Sequence, residues 1–167
     1  MLRIKSFSAL RPRPELAHRV ASVPFDVVTT EEARELAREE PLSFLRVVRS
    51  ELELPEDTDL YSEQVYRRAR HNLQKLEKDG VLIREQQSCL YLYRQQVELF
   101  GRQVSQTGLV CCCHVDDYLN DTIKKHEKTR RDKEDDRVRH VLALNANAGP
   151  VFLLYPGSAD IDRLVDK

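Results

Sequence analysis

The chain has 167 residues, of which 41% are hydrophobic and 33% are charged. This length suits one domain that can bury a core, and we predict a single domain over residues 1–167. Its 27 basic and 28 acidic residues leave a net charge of −1, so no basic field indicates general nucleic-acid binding. No segment approaches the roughly 20 apolar residues of a membrane span, and the first residues lack the apolar core of a signal peptide. The composition therefore predicts a cytoplasmic protein that does not act at a membrane.

The first half of the chain contains two helical patterns and one short extended pattern. Thr29 and Glu32 have capping-box spacing, which predicts the start of a helix. The mixed segment that follows predicts a short strand over Phe44–Val48. A longer helix is predicted from about Tyr61 to Asp79, because Val65, Ala69, Leu73 and Leu76 recur at helical spacing.

The second half is richer in strand signals. The segments from about Leu90 to Val97 and from about Gln103 to Val115 predict an antiparallel pair. We interpret Cys89 and the cysteines at 111–113 as buried thiols, and their spacing does not fit a zinc site, so no metal is predicted. Val151 to Tyr155 predicts a buried strand. Together these patterns predict an α+β fold: a mixed, largely antiparallel sheet with three to five helices packed on it.

The segment from Lys124 to His140 is the most charged part of the chain. It contains eight basic and five acidic side chains. Thr129 and Asp132 have capping spacing, which predicts a helix beginning near Thr129. The inward stripe predicted for this helix consists of Val138, Val141 and Leu142.

Four neighbours at this helix start are candidate ligand contacts: His126, Glu127, Thr129 and Arg130. A guanidinium binds phosphate or carboxylate through two parallel hydrogen bonds, and the first amides of a helix favour the same anion. Asp26, which follows a Val-Pro-Phe segment just before a helix start, is a fifth candidate. The alternative stays open that the charges are ordinary exposed ion pairs, that Thr129 is only a cap, and that Asp26 is only a turn acceptor.

Several segments together resemble an uncharacterised prokaryotic family, domain of unknown function 1015, in the correct order along nearly the whole chain. The segments that carry the resemblance are Val23–Val27, Glu31–Ala33, Pro41–Val47, Leu90–Arg94, Lys125–Arg130, Asp132–Arg137 and Gly149–Tyr155.

The resemblance implies that this chain is the amino-terminal part of a longer protein. Members of the family are usually more than twice this long. Further along they carry an Asp-Gly-His-His-Arg motif, which looks like the phosphate-handling motif of free-serine kinases related to the partition-protein fold. This chain lacks the motif. The resemblance therefore implies kinase-like activity for the full-length protein and an inactive chain here.

Three functions from different classes follow as expectations. The first is half of a phosphate- or nucleotide-binding site, with a nucleotide or small phosphorylated metabolite as partner; neither a cofactor nor catalytic residues are assigned. The second is a regulatory or nucleic-acid-binding module of partition-protein-like shape, which the balanced net charge disfavours. The third is a structural or dimerising domain that forms a homo-oligomer.

Overall fold

The computed structural model of the protein describes residues 2–126 and 128–165. Seven α-helices and six strands occur among these residues, and four of the helices have seven residues or more. The strands are β1 (Ile4–Lys5), β2 (Leu10–Pro12), β3 (Leu82–Arg84), β4 (Tyr91–Leu99), β5 (Arg102–Val110) and β6 (Cys112–Cys113). The helices are α1 (Ala17–Val20), α2 (Thr30–Glu39), α3 (Leu45–Val48), α4 (Glu63–Lys78), α5 (Val115–Leu119), α6 (Arg131–Leu144) and α7 (Ala159–Val165).

Strand pairing in the described part of the chain is antiparallel throughout, which confirms the α+β prediction. It is distributed over three two-stranded pairs, β1 with β6, β2 with β3, and β4 with β5. Within the described residues, no helix is both long and apolar enough to cross a bilayer.

The chain divides into two compact units. The ribbon unit contains residues 1–9, 85–127 and 151–167, and the helical unit contains residues 10–84 and 128–150. A compact unit need not fold by itself, so the single domain predicted from the sequence stays a prediction.

The core of the helical unit forms around α4, whose apolar stripe is the one expected from helical spacing. Val65, Ala69, Leu73 and Leu76 are all at most 8% exposed. The largest buried cluster joins this helix to β3 and α6; its members are Val20, Val47, Ala69, Leu73, Leu76, Val81, Leu82 and Leu144. The predicted helix from Tyr61 to Asp79 is therefore confirmed; the observed helix begins two residues later, at Glu63, and ends one residue earlier, at Lys78.

Helix α2 begins with the capping box that the sequence predicts. The backbone N–H of Glu32 donates to the Thr29 hydroxyl at 3.2 Å, and the backbone N–H of Thr29 donates to Glu32 Oε2 at 2.8 Å. The hydrogen bond from the Thr29 backbone N–H, followed by the interaction with the Thr29 side chain, lowers the pKa of the Glu32 carboxyl. Two backbone donors that have no partner within the helix are thereby satisfied.

The strand predicted over Phe44–Val48 is wrong, because Leu45–Val48 forms one helical turn. Both Leu45 and Val47 are buried to 1% exposure or less. Leu45 packs in a small cluster with Ala33 and Ala37 of α2, whereas Val47 packs in the cluster around α4. A single helical turn places neighbouring apolar side chains in two different clusters, and this burial outweighs the β propensity of the segment.

The ribbon unit contains the predicted antiparallel hairpin, but its second strand ends at Val110 and not at Val115. Cys112 and Cys113 pair with β1 instead, and Val115 begins α5. Strands β4 and β5 pair over nine positions, from Tyr91 opposite Val110 to Leu99 opposite Arg102. The two-residue loop consists of Phe100 and Gly101, with φ angles of 51° and 71°. Two successive positive φ values define the type I′ turn that matches the twist of a hairpin.

One further strand prediction and one burial prediction are wrong in this unit. Residues 151–155 form no strand in the structure, and all five side chains are exposed, from 40% for Leu153 to 82% for Leu154. The cysteines are also not buried, because Cys89 and Cys112 are exposed and Cys111 and Cys113 are only half-buried. Apolar, strand-forming residues become a buried strand only where a neighbouring strand and a core receive them.

Candidate functional site

Arg130, one of the predicted anion ligands, lies at the amino-terminal end of α6 and binds a carboxylate there. It is the residue directly before the helix, and its side chain is 75% exposed. Its Nε and Nη2 donate to the two carboxylate oxygens of Asp132 at 3.1 and 2.7 Å. These hydrogen bonds lower the pKa of the Asp132 carboxyl. The guanidinium therefore already binds one anion in the bidentate geometry that it would use for phosphate.

The helix start itself differs from the prediction by two residues. Helix α6 begins at Arg131 with Arg130 as its N-cap and without a side-chain cap, so the predicted capping by Thr129 is wrong. The predicted inward stripe is also wrong, since Val138, Val141 and Leu142 are 38–74% exposed. Capping spacing occurs by chance in a run of charged residues, and the packing of α6 against α4 decides where the helix begins and which face is buried.

Asp26 lies in a turn that packs against α6, at some distance from Arg130. The backbone N–H of Val27 donates to the Pro24 carbonyl at 3.3 Å, which closes the turn around Phe25 and Asp26. The Phe25 ring lies under the Arg137 guanidinium, 4.7 Å from centroid to Cζ. Arg137 follows Arg130 by seven positions, or about 10 Å along a helix axis. The Asp26 turn is therefore anchored about two helical turns away from Arg130.

The remaining candidates are not brought together in one unit. His126 is an exposed residue of the ribbon unit, whereas Thr129 and Arg130 belong to the helical unit. Glu127 lies outside the described residues. The convergence of a histidine, a glutamate and an arginine into one anion pocket accordingly stays a prediction.

Next to Arg130 the helical unit has an acidic depression of about 190 Å³, lined by Tyr61, Asp132, Asp135, Asp136 and Arg139. Arg139 donates to the Tyr61 carbonyl and to Glu63, each at 2.7 Å. Its guanidinium also lies 4.5 Å above the Tyr66 ring. Among the described residues, no cluster of three His, Cys, Asp or Glu side chains has an arrangement suited to a metal ion. Three carboxylates around this depression disfavour phosphate inside it.

The polar groups behind the depression join α4 to α6. The Tyr66 hydroxyl donates to Asp136 Oδ1 at 2.8 Å, and Arg137 donates to Asp136 Oδ2 at 2.6 Å. Burial opposes ionisation of Asp136, but the hydrogen bonds from Arg137 and Tyr66 outweigh it and lower the pKa of this carboxyl. His140, one helical turn along, is buried with Nε2 3.1 Å from the Val47 carbonyl, and burial lowers its pKa. These hydrogen bonds connect α4 to α6 and α6 to the Val47 carbonyl of α3.

A larger feature of the ribbon unit is the β4–β5 hairpin, here called the ribbon, in which most side chains are solvent-exposed in the described structure. Alternate residues of a strand point to opposite sides, so the register defines two faces. We call them the Val97 face and the Ser105 face. The Val97 face consists of the pairs Tyr91·Val110, Tyr93·Gly108, Gln95·Gln106, Val97·Val104 and Leu99·Arg102. The Ser105 face consists of Leu92·Leu109, Arg94·Thr107, Gln96·Ser105 and Glu98·Gln103.

The Val97 face is apolar and solvent-exposed. Tyr93, Val97, Leu99 and Val104 are 42–60% exposed, and the turn residue Phe100 is completely exposed. A shallow groove of about 480 Å³ along the ribbon is lined by residues of this face and by Arg94 and Gln96 of the Ser105 face. An isolated two-stranded hairpin is at best marginally stable in water, and a contact on its apolar face would stabilise it. The face could have been found from the sequence, since Tyr91, Tyr93, Val97 and Leu99 share one parity along a predicted strand.

The base of the ribbon is anchored within its own unit. The Tyr91 hydroxyl donates to the Phe7 carbonyl at 3.0 Å and accepts from the Ala9 N–H at 2.9 Å. Phe7 also pairs with Cys89 through backbone hydrogen bonds of 3.0 and 3.1 Å. These contacts hold the end at Tyr91 in place, and they involve none of the exposed residues of the Val97 face.

The comparisons with known proteins identify a family and no individual relative. The family model described as "Protein of unknown function (DUF1015)" matches residues 4–167. Neither the curated proteins nor the solved structures contain a match to this chain. The family resemblance of the sequence is thereby confirmed.

Proposed function

Since the chain belongs to the DUF1015 family of proteins of unknown function, we propose that it acts as a protein-interaction domain through the Val97 face of its ribbon. The supporting observation is the exposure of Tyr93, Val97, Leu99 and Val104 on one side of a two-stranded hairpin. This proposal develops the structural or dimerising function considered from the sequence.

Full burial of a Val or Leu side chain is worth about 1.5–3 kcal/mol relative to full exposure. Burial of the four side chains of this face, which are about half exposed, would therefore contribute on the order of 4 kcal/mol to a contact. Exposed apolar side chains on one face, on either side of the Gln95·Gln106 pair, are typical of an interaction surface.

Photo-crosslinking with face selectivity tests the proposal. A benzophenone amino acid replaces Val97 in one variant and Ser105 in a matched control, and both variants are irradiated in the cells that produce them. Both positions lie in the middle of the ribbon but on opposite faces. We expect an adduct of defined mass from position 97 and none from position 105. Equal adduct formation at the two positions, or none at 97, contradicts an interaction role for this face.

A second candidate function is a contribution to a phosphate- or nucleotide-binding site of a kinase-like protein. It is favoured by one observation, the exposed Arg130 guanidinium that binds the Asp132 carboxylate in front of α6. In this proposal a phosphate dianion displaces the Asp132 carboxylate from the Arg130 guanidinium, and the neighbouring Thr129 hydroxyl supplies a further contact. A phosphate dianion carries more negative charge than a carboxylate, so the Arg130 guanidinium would bind it more strongly in the same bidentate geometry.

The matched control for Arg130 is Arg163. Arg163 is equally exposed at 75%, lies in the last turn of α7 and pairs with a nearby aspartate, Asp160. We expect calorimetric titration with ATP and with phosphoserine to give a binding signal that Arg130→Ala abolishes and Arg163→Ala preserves. If neither ligand gives a heat of binding, or if both variants lose the binding signal equally, the phosphate proposal is contradicted.

A further inference from the structure

The Val97 face has a composition that is compatible with its own copy. It carries no carboxylate, and Arg102, in the pair next to the turn, is its one charged residue. The oppositely directed Ser105 face carries Arg94 and Glu98 instead. Two Val97 faces can therefore approach without like-charge repulsion across their centres, which a face with scattered charges would not allow.

The centre of the Val97 face is occupied by two amides. The ribbon has nine paired positions, and the fifth pair is Gln95 opposite Gln106. An amide side chain offers both hydrogen-bond donors and an acceptor, so it is complementary to an identical amide. On either side of this polar centre lie Tyr93 opposite Gly108 and Val97 opposite Val104. The face is thus polar at its midpoint and apolar on both flanks.

A two-fold axis has a specific consequence for such a face. When two copies pack face to face, the axis lies in the plane between them, either along the strands or across them. With the axis along the strands every pair meets its own copy, and with the axis across the strands the fifth pair meets its own copy when the axis passes through the centre of the ribbon. The two amide pairs then satisfy each other's donors and acceptors at the axis, and the flanking apolar pairs exclude water around them.

We propose that the partner of the Val97 face is a second copy of this chain, related by a two-fold axis that passes the Gln95·Gln106 pair. The inference rests on the proposed interaction function and names its partner. It is carried by the central position of two self-complementary amides between exposed apolar pairs on a face without carboxylates.

The dimensions of the ribbon limit the area that this contact can bury. Nine residues per strand at about 3.4 Å each extend roughly 30 Å, and two strands are about 10 Å wide. The footprint is then on the order of 300 Å² per copy, whereas a standard interface buries about 800 Å² per partner. An interface of this size belongs to the weak, transient class, so we expect self-association only at high micromolar to millimolar concentration.

Charge substitution at the central pair provides the test. The variants Gln95→Glu/Gln106→Glu and Gln95→Lys/Gln106→Lys place like charges at the axis, whichever in-plane axis applies. The matched control Gln96→Glu/Ser105→Glu changes the neighbouring pair on the opposite face. Sedimentation velocity of the full chain is measured from about 10 μM to about 1 mM, a range that reaches the concentrations at which we expect self-association.

We expect the wild type and the control to dimerise with similar constants and each central variant to dimerise at least about 10-fold more weakly. An equimolar mixture of the Glu and Lys variants should restore a dimer, because opposite charges then meet at the axis. A monomeric wild type at the highest concentration, an unaffected Glu variant, or a mixture that stays monomeric would each overturn the second-copy proposal.

The two proposals fail in different ways. An adduct from position 97 with twice the mass of the chain supports both. An adduct of any other mass supports an interaction face and refutes the second copy, and the absence of an adduct refutes the interaction face itself. Circular dichroism spectra of all variants confirm that the charge substitutions have not unfolded the chain.

Discussion

The contact between Tyr66 and Asp136 predicts how the stability of the helical unit changes at alkaline pH. Tyr66 is 3% exposed, and its hydroxyl donates to the Asp136 carboxylate at 2.8 Å. Burial, followed by this hydrogen bond, raises the pKa of Tyr66 from 10.0 to about 12. The phenol of the unfolded chain titrates near 10. The native state therefore retains a proton that the unfolded state releases.

The sign of the effect follows from proton release. Below about pH 10 both states hold the proton, and the stabilisation is complete. Above it only the unfolded state is deprotonated, so stability falls by about 1.4 kcal/mol per pH unit until the native phenol titrates. Across the window from 10.0 to about 12 the loss is on the order of 2–3 kcal/mol. In Tyr66→Phe this loss is absent, because no phenol is present.

The comparison of wild type with Tyr66→Phe isolates this effect from all other titrations. At neutral pH we expect the variant to be less stable by about 1.5–3 kcal/mol, because Asp136 loses a donor. The difference should shrink above about pH 10 and nearly vanish close to pH 12. Urea denaturation followed by circular dichroism measures it. Tyr61→Phe is the control, since the Tyr61 hydroxyl is exposed and lies 3.5 Å from Lys133. A difference that stays constant from neutral to strongly alkaline pH would refute the reasoning.

Two further predictions concern the core and the ribbon turn. Leu45 is 1% exposed, so Leu45→Ala should lower the free energy of unfolding by about 2–5 kcal/mol. Leu142 is 74% exposed, so the control Leu142→Ala should change this free energy by less than about 0.5 kcal/mol. Equal effects of the two substitutions in urea denaturation would contradict the assigned burial. Phe100 has a φ of 51° in the hairpin turn, and asparagine tolerates a positive φ better than phenylalanine does. Phe100→Asn should therefore raise the thermal midpoint by the equivalent of about 1 kcal/mol. A lower midpoint would show that the Phe100 ring stabilises the monomer.

Local patterns in the sequence predicted the elements whose determinants lie within the element. The capping box at Thr29 is an exchange of hydrogen bonds between residues three apart, so it needs no distant partner. The apolar stripe of α4 is long and regular enough to identify the helix and its buried face. The hairpin of β4 and β5 is predicted equally well, because the paired strands are close in sequence and are joined by a turn containing glycine.

The predictions that proved wrong share one cause: the outcome depends on contacts with residues that are distant in the sequence. Phe44–Val48 was predicted as a strand, but this segment lies between two apolar clusters that need its side chains in different directions. The segment Val151–Tyr155 has strand-forming residues and no strand partner in the described structure. Thr129 has the spacing of a cap, but the helix begins two residues later. Each outcome depends on which surface the segment meets, and that surface is made of residues distant in the chain.

The candidate site shows the same division. The sequence predicts Arg130 as an anion ligand; in the structure its guanidinium forms an exposed ion pair with Asp132, and binding of an external anion stays a prediction. The Val97 face is not among the sequence predictions, because a period of two predicts a strand but not what covers each of its sides. The parity of Tyr91, Tyr93, Val97 and Leu99 was visible in the sequence, but their exposure was not.

The sequence alone determined the family, the α+β class, the principal helices and the hairpin, because short-range hydrogen bonds and regular apolar spacing are properties of contiguous residues. Only the tertiary structure decided which apolar residues are buried and which remain in water. Burial is a relation between surfaces that come from separate parts of the chain, and a local pattern specifies only one of the two surfaces. The exposed Val97 face, from which the proposed function follows, is a consequence of that second, non-local choice.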